Sequence, residues 1–335
     1  MILVTGGTGL VGAHLLYELT KNGTAVKAIC RATSDLKNVE KVFSYYTENY
    51  QTQYQKIQWI VADITNIPAL ETAFEGITHV YHCAALISFD PKDYDQLHKV
   101  NCEGTANIVN LCLAKNTKKL CFVSSIATIG KNLNDEGVDE ESEWTNKDAN
   151  VYALSKYDAE MEVWRGSQEG LSIVILNPGV IIGPGFWDTG SGKLFTTVAK
   201  KHRYYPPSGT GFVAVNDVVQ LLVMAMNSDV DKERFIAISE NLSYKDVLGF
   251  IALELNLKPP TQMLSFWQLE VLWRLDAMRS FLFKGERKIS KKMVASLREN
   301  KVYLNEKVTR TFDYKFEVLQ QSIAFTCEKF KKEKL

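Results

Sequence analysis

A tyrosine and a lysine four positions apart are the residues of this chain best suited to acid–base chemistry. Tyr152 and Lys156 begin and end the sequence Tyr-Ala-Leu-Ser-Lys, which on a helix puts the phenol and the ammonium one turn apart on the same face. An unperturbed tyrosine titrates near about 10, and a nearby positive charge lowers that pKa by favouring the phenolate. The spacing therefore predicts a side chain that can exchange a proton near neutral pH.

The spacing alone does not single out this pair, because two further Tyr-x-x-x-Lys sequences begin at Tyr17 and Tyr303. Tyr152 alone follows an apolar run, residues 120–125, that ends in two serines. If that run is a parallel strand, its hydroxyls emerge at the carboxyl edge of the sheet, where ligands bind and where a serine could polarise a carbonyl. Tyr17 lies two turns down the first predicted helix, which leads away from that edge, and Tyr303 precedes a predicted turn at Asn305.

Short β-branched runs alternate with helical segments through the first half of the chain. This alternation predicts an α/β fold of the Rossmann type, a doubly wound parallel sheet covered by helices on both faces. The predicted strands are residues 2–5, 25–30, 57–62, 79–83, 120–124 and 172–177.

The pattern changes after Pro178, where residues 179–192 and 204–211 are rich in Gly and Pro and are predicted to be loops. A helix, a strand and a helix are expected at 216–226, 234–239 and 244–256, before a largely helical tail. We therefore expect a dinucleotide-binding domain over 1–178, with its sheet completed by about 212–240. The substrate-binding lobe is expected to be smaller, mainly helical and formed by 179–211 and 241–335.

Three glycines directly after the first predicted strand indicate a dinucleotide site. Gly6, Gly9 and Gly12 are spaced Gly-x-x-Gly-x-x-Gly. In such a site, glycines permit a tight turn, close approach of the backbone to a pyrophosphate, and packing of helix on strand, with the phosphates at the helix N-terminus. A strand before the glycines and an amphipathic helix after them make this interpretation specific.

The residue at the end of the second predicted strand bears on the choice of cofactor. Arg31 stands there, 19 residues after Gly12, whereas the first acidic residue is Asp35. An arginine can hold a 2′-phosphate and a carboxylate would bind a ribose 2′-hydroxyl, so NADP(H) is favoured over NAD(H), although Arg31 could also be a solvated surface residue. Asp63, at the end of the third predicted strand, could bind the adenine amine or serve as an ordinary turn residue.

Composition narrows the class of partner to a small molecule. The 335-residue chain carries 39 basic and 39 acidic residues, so no global field favours nucleic acid or an anionic membrane. The six cysteines form no Cys-x-x-Cys pair and the histidines do not cluster with them, so no metal is expected. The chain opens on a strand without a signal peptide, and residues 264–283 carry four charges, which argues against a membrane span. A cytoplasmic location is therefore expected.

Over about residues 1–255 the chain resembles the extended short-chain dehydrogenase/reductases, also called the NAD-dependent epimerase/dehydratase family. The resemblance is carried by these sequences in order: Gly-Gly-Thr-Gly-Leu-Val-Gly at 6–12, His-Cys-Ala-Ala at 82–85, Asn-Cys-Glu-Gly-Thr-Ala-Asn at 101–107, Ser-Ser at 124–125, Tyr152 with Lys156, Asn-Pro-Gly-Val-Ile-Ile-Gly-Pro at 177–184, and Phe-Val-Ala-Val-Asn-Asp at 212–217.

The resemblance implies a role for each matching residue. Tyr152 would be the general acid in reduction, Lys156 would hold the nicotinamide ribose and lower the tyrosine pKa, and Ser125, rather than Ser124, would orient the carbonyl. Ala84 and Ala85 would lie along the cofactor. Other residues implied to bind the cofactor are Thr8, Leu10, Val11, Ile64, Asn101, Ser124, Asn177, Pro178 and Val180, with Asn177 and Pro178 bordering the nicotinamide.

Within the family, asparagine before Pro178 and the Gly-Pro that follows are similar to the branch of dihydroflavonol reductases, cinnamoyl-CoA reductases and 3β-hydroxysteroid dehydrogenases. This favours NADP(H)-dependent reduction of a ketone or aldehyde on a hydrophobic small molecule. A nucleotide-sugar epimerase or dehydratase with tightly bound NAD is the alternative, and a non-catalytic cofactor-binding protein is a third. Candidate diphosphate contacts for the second are Lys193, Lys200, Lys201 and Arg203, which could equally be a solvated face.

Two further expectations concern surfaces. The family resemblance implies a homodimer through the helices near residues 94–115 and 150–166. The aromatic residues of the tail could line a substrate pocket or could simply pack an apolar helix stripe. They are Phe266, Trp267, Trp273, Phe281 and Phe283.

Overall fold

The computed structural model describes residues 1–130, 137–147, 149–283, 287, 289–298 and 301–335. Within them the strands are β1 (Ile2–Thr5), β2 (Val26–Cys30), β3 (Ile57–Val61), β4 (His79–His82), β5 (Lys119–Val123), β6 (Ile173–Pro178), β7 (Val180–Ile182), β8 (Tyr204–Tyr205), β9 (Gly209–Ala214), β10 (Glu233–Ala237), β11 (Glu240–Ser243) and β12 (Gln262–Met263). The α-helices are α1 (Leu10–Lys21), α2 (Leu36–Ser44), α3 (Gln51–Tyr54), α4 (Ile67–Ala73), α5 (Tyr94–Leu97), α6 (Gly104–Ala114), α7 (Val151–Gln168), α8 (Gly192–Ala199), α9 (Val215–Asn227), α10 (Tyr244–Glu254), α11 (Phe266–Phe283), α12 (Lys291–Ser296), α13 (Glu306–Phe312) and α14 (Leu319–Lys334).

Seven strands form one parallel sheet in the order β10-β6-β5-β4-β1-β2-β3. Alternate strand residues enter two separate cores. Val4, Cys121 and Val174 pack with α1, α2 and α9 on one face, whereas Leu3 and Leu120 pack with α4, α6 and α7 on the other. Burial of both faces explains why these strands are apolar at nearly every position, and it confirms the predicted Rossmann-type α/β fold.

A second, smaller group of elements lies beyond β6. β7, β9 and β11 form a three-stranded sheet, and β8 pairs with β12. Phe212 of β9 packs with the inner faces of α8, α10 and α14 in a core that includes Phe195, Ile251 and Phe330. These elements bring the end of the chain back against the segment that follows β6.

The structure differs from the prediction in the two Gly- and Pro-rich segments. Residues 179–192 contain β7, and 204–211 contain β8 and the start of β9. Strands of two or three residues have no room for an alternating pattern, so their pairing partners elsewhere in the chain decide the outcome. The tail beyond residue 264 is largely helical, as predicted. Within the described part of the chain, no helix combines the length and apolar character needed to cross a bilayer.

Candidate active site

The chain passes from β1 to β2 and β3 on one side of the sheet and to β4, β5 and β6 on the other. Ligands of doubly wound folds bind outside the carboxyl ends of the strands at such a reversal. Here the loop after β1 contacts the residue that follows β4. Gly6 has φ +68, and a Cβ atom built on it would lie 2.5 Å from the backbone nitrogen of Ala84. Only glycine fits between the two strand ends.

The glycine loop leads straight into the N-terminus of α1. Gly9 is the residue before the helix and offers no side chain to cap it, while a Cβ atom on Gly12 would lie 2.1 Å from the Gly6 carbonyl oxygen. Thr8 and Leu10 are half-buried, and Val11 is buried. The first amides of a helix have no intrahelical acceptor, so this bare helix end fits the phosphates of a dinucleotide.

A buried histidine fixes the ends of β1 and β4 next to that loop. Thr5 Oγ1 lies 2.6 Å from His82 Nδ1, and His82 Nε2 lies 2.9 Å from Thr105 Oγ1. Burial lowers the pKa of His82 to about 3, because the charged ring would lose its hydration. The neutral ring therefore acts as a rigid spacer between β4 and α6.

The predicted adenosine-side residues lie at the carboxyl ends of β2 and β3. Arg31 follows β2 and its side chain is exposed. The Asp35 carboxylate accepts from the Lys37 amide at 3.0 Å and so caps α2. Asp63 accepts from the amide and the hydroxyl of Thr65, at 2.9 and 2.7 Å, in the geometry of a turn residue, and Ile64 is buried against Gly104.

Asn101 holds the loop after β4. It lies in a π-helical stretch, His98–Glu103, between α5 and α6. Its Oδ1 accepts from the Leu86 amide at 2.7 Å, and its Nδ2 donates to the Leu86 carbonyl at 3.0 Å and to Ser155 Oγ at 2.9 Å. Through these hydrogen bonds, the Asn101 side chain positions the loop that carries Ala84 and Ala85. Ala84 is half-buried and Ala85 is exposed.

The structure brings together the three predicted catalytic residues at the carboxyl edge of β5. Tyr152 lies in the first turn of α7, which Asn150 caps by accepting from the Ala153 amide at 2.9 Å. Ser125, just beyond β5, forms a hydrogen bond with the Tyr152 phenol. The other two Tyr-x-x-x-Lys sequences lie elsewhere: Tyr17 is on the outer part of α1, and Tyr303 bridges to Val138 before α13 begins.

The tyrosine pKa is the point on which the structure departs from expectation. Burial raises the pKa of Tyr152 above its usual value, and the hydrogen bond with Ser125 opposes this shift only in part. The buried phenolate would lose more hydration than one hydrogen bond returns. The phenol is therefore protonated at neutral pH, as a proton donor must be.

Lys156 is fully buried one helical turn after Tyr152. Its Nζ donates to the Val123 carbonyl at 2.9 Å and lies 4.3 Å from the centre of the Phe122 ring. Burial lowers the pKa of Lys156 to about 8, and Glu160 partly counters this by favouring the charged form. The backbone of β5 thus holds the ammonium group at the same edge as the phenol.

A buried carboxylate that sequence analysis missed anchors this edge from below. Glu160 Oε2, fully buried, accepts from Ser124 Oγ at 2.6 Å, Thr128 Oγ1 at 2.8 Å and Asn177 Nδ2 at 2.9 Å. Its Oε1 lies 3.3 Å from Arg234 Nη1. Ser124 and Asn177, predicted to contact cofactor, therefore support the site from within, and the buried Pro178 and half-buried Val180 continue the same segment. The sequence did contain a signal for this buried carboxylate, because Glu160 is spaced along α7 so that it falls on the same helix face as the buried residues.

One side of the Tyr152 ring is apolar. The Phe89 ring lies 5.5 Å from the Tyr152 ring in an edge-on arrangement. Ile87 and Phe89 are 55% and 39% exposed, although both stand in the loop held by Asn101. Lys193, Lys200, Lys201 and Arg203, the candidate diphosphate contacts, have exposed side chains.

Comparison with known proteins agrees with this geometry. Residues 2–238 match the model of the NAD dependent epimerase/dehydratase family. The chain is 30% identical over 273 residues to a putative dihydroflavonol 4-reductase of Synechocystis sp., covering 79% of this chain and 75% of that protein. It is 26% identical over 256 residues to the sterol demethylase protein B of Methylococcus capsulatus, covering 74% and 73%.

Among solved structures, a UDP-glucose 4-epimerase with UDP-glucose from Thermotoga maritima superposes with a TM-score of 0.77 at 19% identity, covering 99% of this chain and 98% of that one. At this identity the likeness shows the common fold. The predicted family is confirmed: the chain belongs to the NAD-dependent epimerase/dehydratase family and is an enzyme that uses a nicotinamide cofactor.

Proposed function

We propose that this enzyme reduces a ketone or aldehyde on a hydrophobic small molecule with NADPH. The observation that carries the proposal is the half-buried, protonated Tyr152, which is hydrogen-bonded to Ser125 beside an apolar, accessible ring, Phe89. A general acid must hold its proton until the substrate oxygen becomes basic. A raised tyrosine pKa suits that task in the direction of reduction.

Ser125, Tyr152 and Lys156 would each have a separate role in the reaction. A bound reduced nicotinamide would supply the hydride to the carbonyl carbon. Ser125 orients and polarises the carbonyl oxygen by a hydrogen bond, and Tyr152 gives its phenolic proton to that oxygen, so that the product is an alcohol. Lys156 places a positive charge at the same edge, where it would hold the cofactor ribose and stabilise the phenolate until solvent returns the proton.

The preference for NADPH is supported at the end of β2. Arg31 is exposed there, while the carboxylate of Asp35 is engaged in capping α2. A 2′-phosphate on the adenosine ribose would meet a guanidinium, which binds phosphate with two parallel hydrogen bonds. A 2′-hydroxyl would lack the acidic partner that NAD-binding relatives of this fold offer it.

The testing experiment measures the affinity of the cofactor-stripped protein for NADPH and for NADH. Mass spectrometry of any nucleotide that the protein carries when isolated accompanies it. Exchangeable NADPH bound more tightly than NADH is the expected result, followed by consumption of NADPH with hydrophobic ketones or aldehydes. Tightly retained NAD that does not exchange would overturn the proposal and indicate an epimerase or dehydratase, in which the cofactor is regenerated within each turnover.

A further inference from the structure

Helix α11 leaves most of its large apolar side chains in solvent. Leu269 and Ser280 are its only buried residues within the described chain. The exposed fraction reaches 69% for Trp267, 82% for Phe281 and 78% for Phe283. These three aromatic residues therefore do not pack a core, which was one of the two expectations for the aromatic residues of the tail; the half-buried Trp273 faces the protein. Contiguous exposed apolar surface on this scale marks an interaction site.

Five of the exposed apolar residues lie along one face of the helix. Trp267, Val271, Leu275, Met278 and Leu282 are separated by four, four, three and four positions, which places them in a single stripe, and all five are exposed. On the opposite side, the half-buried Trp273 and Asp276 join the two buried residues against the protein. The helix is thus more polar toward the protein than toward solvent.

The segment that carries this stripe has a surplus of basic residues in its sequence. Residues 264–301 contain nine Lys or Arg and four Asp or Glu, a net charge of +5 in a chain that is neutral overall. Arg274 stacks over Trp273 at 4.5 Å, and Arg298 stacks over Phe266 at 5.2 Å. Lys291 and Lys292 are exposed on α12. An exposed apolar stripe that includes tryptophan, in a segment rich in basic residues, is a feature that α11 shares with helices that lie in a membrane interface, although α11 also carries apolar residues outside the stripe.

The inner side of α11, opposite the stripe, contacts the loop that leads to Tyr152. Lys92 Nζ donates to Ser280 Oγ of α11 at 3.1 Å, and Asp90 Oδ2 accepts from the Arg287 amide at 2.7 Å. The residue before Asp90 is Phe89, whose ring contacts Tyr152. Helix α11 is therefore anchored to the loop that forms the apolar side of the active site.

We propose that α11 docks this enzyme on an anionic bilayer, with its axis in the plane of the interface and the Trp267-to-Leu282 stripe among the acyl chains. The negative headgroups complement the surplus of basic residues. A second copy of the chain is a poorer occupant, because a two-fold contact would place two segments of charge +5 against each other. Such contact with lipid would give an apolar substrate a path to Tyr152, a consequence that rests on the proposed reductase function.

Flotation of the full chain with lipid vesicles tests the proposal. The probes are vesicles of phosphatidylcholine alone and vesicles that also contain phosphatidylserine. We expect binding at least about tenfold tighter to the anionic vesicles and a clear loss at high salt. The double variant Trp267→Gln/Leu275→Gln should bind at least about tenfold more weakly than the native chain.

Leu253→Gln is the matched control, because Leu253 is 64% exposed on α10, outside the stripe, and it should bind vesicles as the native chain does. Thermal unfolding shows that each variant is folded, and light scattering gives the mass in solution. Failure of the native chain to bind anionic vesicles, unchanged binding by the double variant, or a native dimer that this variant dissociates would each overturn the proposal. The assay uses neither cofactor nor substrate, so its failure would leave the reductase assignment intact.

Discussion

The carboxyl edge of the large sheet and helix α11 depart in opposite ways from the usual pattern of apolar groups inside and polar groups outside. At the sheet edge, polar and charged groups are buried, and Glu160 and Asn101 are each met by specific donors or acceptors. Asn177 Oδ1 is the exception in this network, because it is buried without a hydrogen-bond partner among the described residues. In α11, apolar groups are exposed, and among the described residues little covers them. The first region is stabilised largely by partners within the chain, whereas the second has the character of a surface that binds something outside it.

The difference predicts that single changes at the sheet edge damage folding or catalysis, while changes on the outer face of α11 affect neither. The largest effect on stability is expected for Glu160→Ala. Removal of the carboxylate would leave the Ser124 hydroxyl without an acceptor, take one acceptor each from Thr128 and Asn177, and leave Arg234 without its buried carboxylate partner. The cost should be about 3–5 kcal/mol in the free energy of unfolding, measured by urea denaturation.

Glu162→Ala is the control on the same helix, since Glu162 pairs with Arg165 at the surface. Its effect should stay within about 0.5 kcal/mol. Equal losses in the two variants would contradict the view that the Glu160 network secures the site.

Catalysis should depend on the phenol of Tyr152 more than on any other single group. Tyr152→Phe keeps the ring against Phe89 but removes the proton and the hydrogen bond to Ser125. We expect NADPH affinity within about twofold of the native value and turnover lower by at least about 10²-fold. Tyr17→Phe, at a position with the same lysine spacing, should retain native turnover. Near-native turnover of the Tyr152 variant would remove it from the mechanism.

The elements of the sheet edge were largely predictable, because each is encoded by neighbouring residues. Gly6 and Gly12 are recognisable from the glycine spacing of one loop, although the backbone that excludes a side chain at Gly6 belongs to Cys83 and Ala84. The strands β1 to β6 lie within one or two residues of the predicted ranges. Short strands β7 and β8 were not predictable, since they are stabilised by partners distant in the chain. The raised pKa of Tyr152 was also not predictable from the sequence, because burial is a property of the assembled site.

The burial of Glu160 and the exposed face of α11 could not be predicted, for a related reason. The charge of Glu160 suggests an exposed residue, and only its phase on α7 places it inside, where four donors from other elements converge. In α11, apolar residues occur on all sides of the helix, so periodicity could not say which face packs inward. In both cases the burial of a side chain is decided by whether other elements of the fold pack against it.

Arg31→Ala should have a moderate and selective effect at the outer end of the cofactor site. Loss of one guanidinium from a solvent-exposed phosphate contact should weaken NADPH binding about tenfold and leave NADH binding unchanged. Both affinities can be measured by calorimetry. Arg310→Ala, which removes an exposed arginine from α13, is the control for the change in net charge. Equal weakening for both nucleotides would contradict recognition of a 2′-phosphate by Arg31.

The smallest effect is expected on the outer face of α11, and it is best measured against the inner face of the same helix. Leu275 is 50% exposed and Leu269 only 4%. The two residues are both leucines on the same helix, and they differ only in their surroundings. Leu269→Ala should cost about 2–5 kcal/mol of unfolding free energy, because it leaves a cavity, whereas Leu275→Ala should stay within about 0.5 kcal/mol. Comparable losses from both, measured by denaturation without lipid, would mean that the outer face packs against protein. A cost confined to Leu269 would leave Leu275 available for a bilayer.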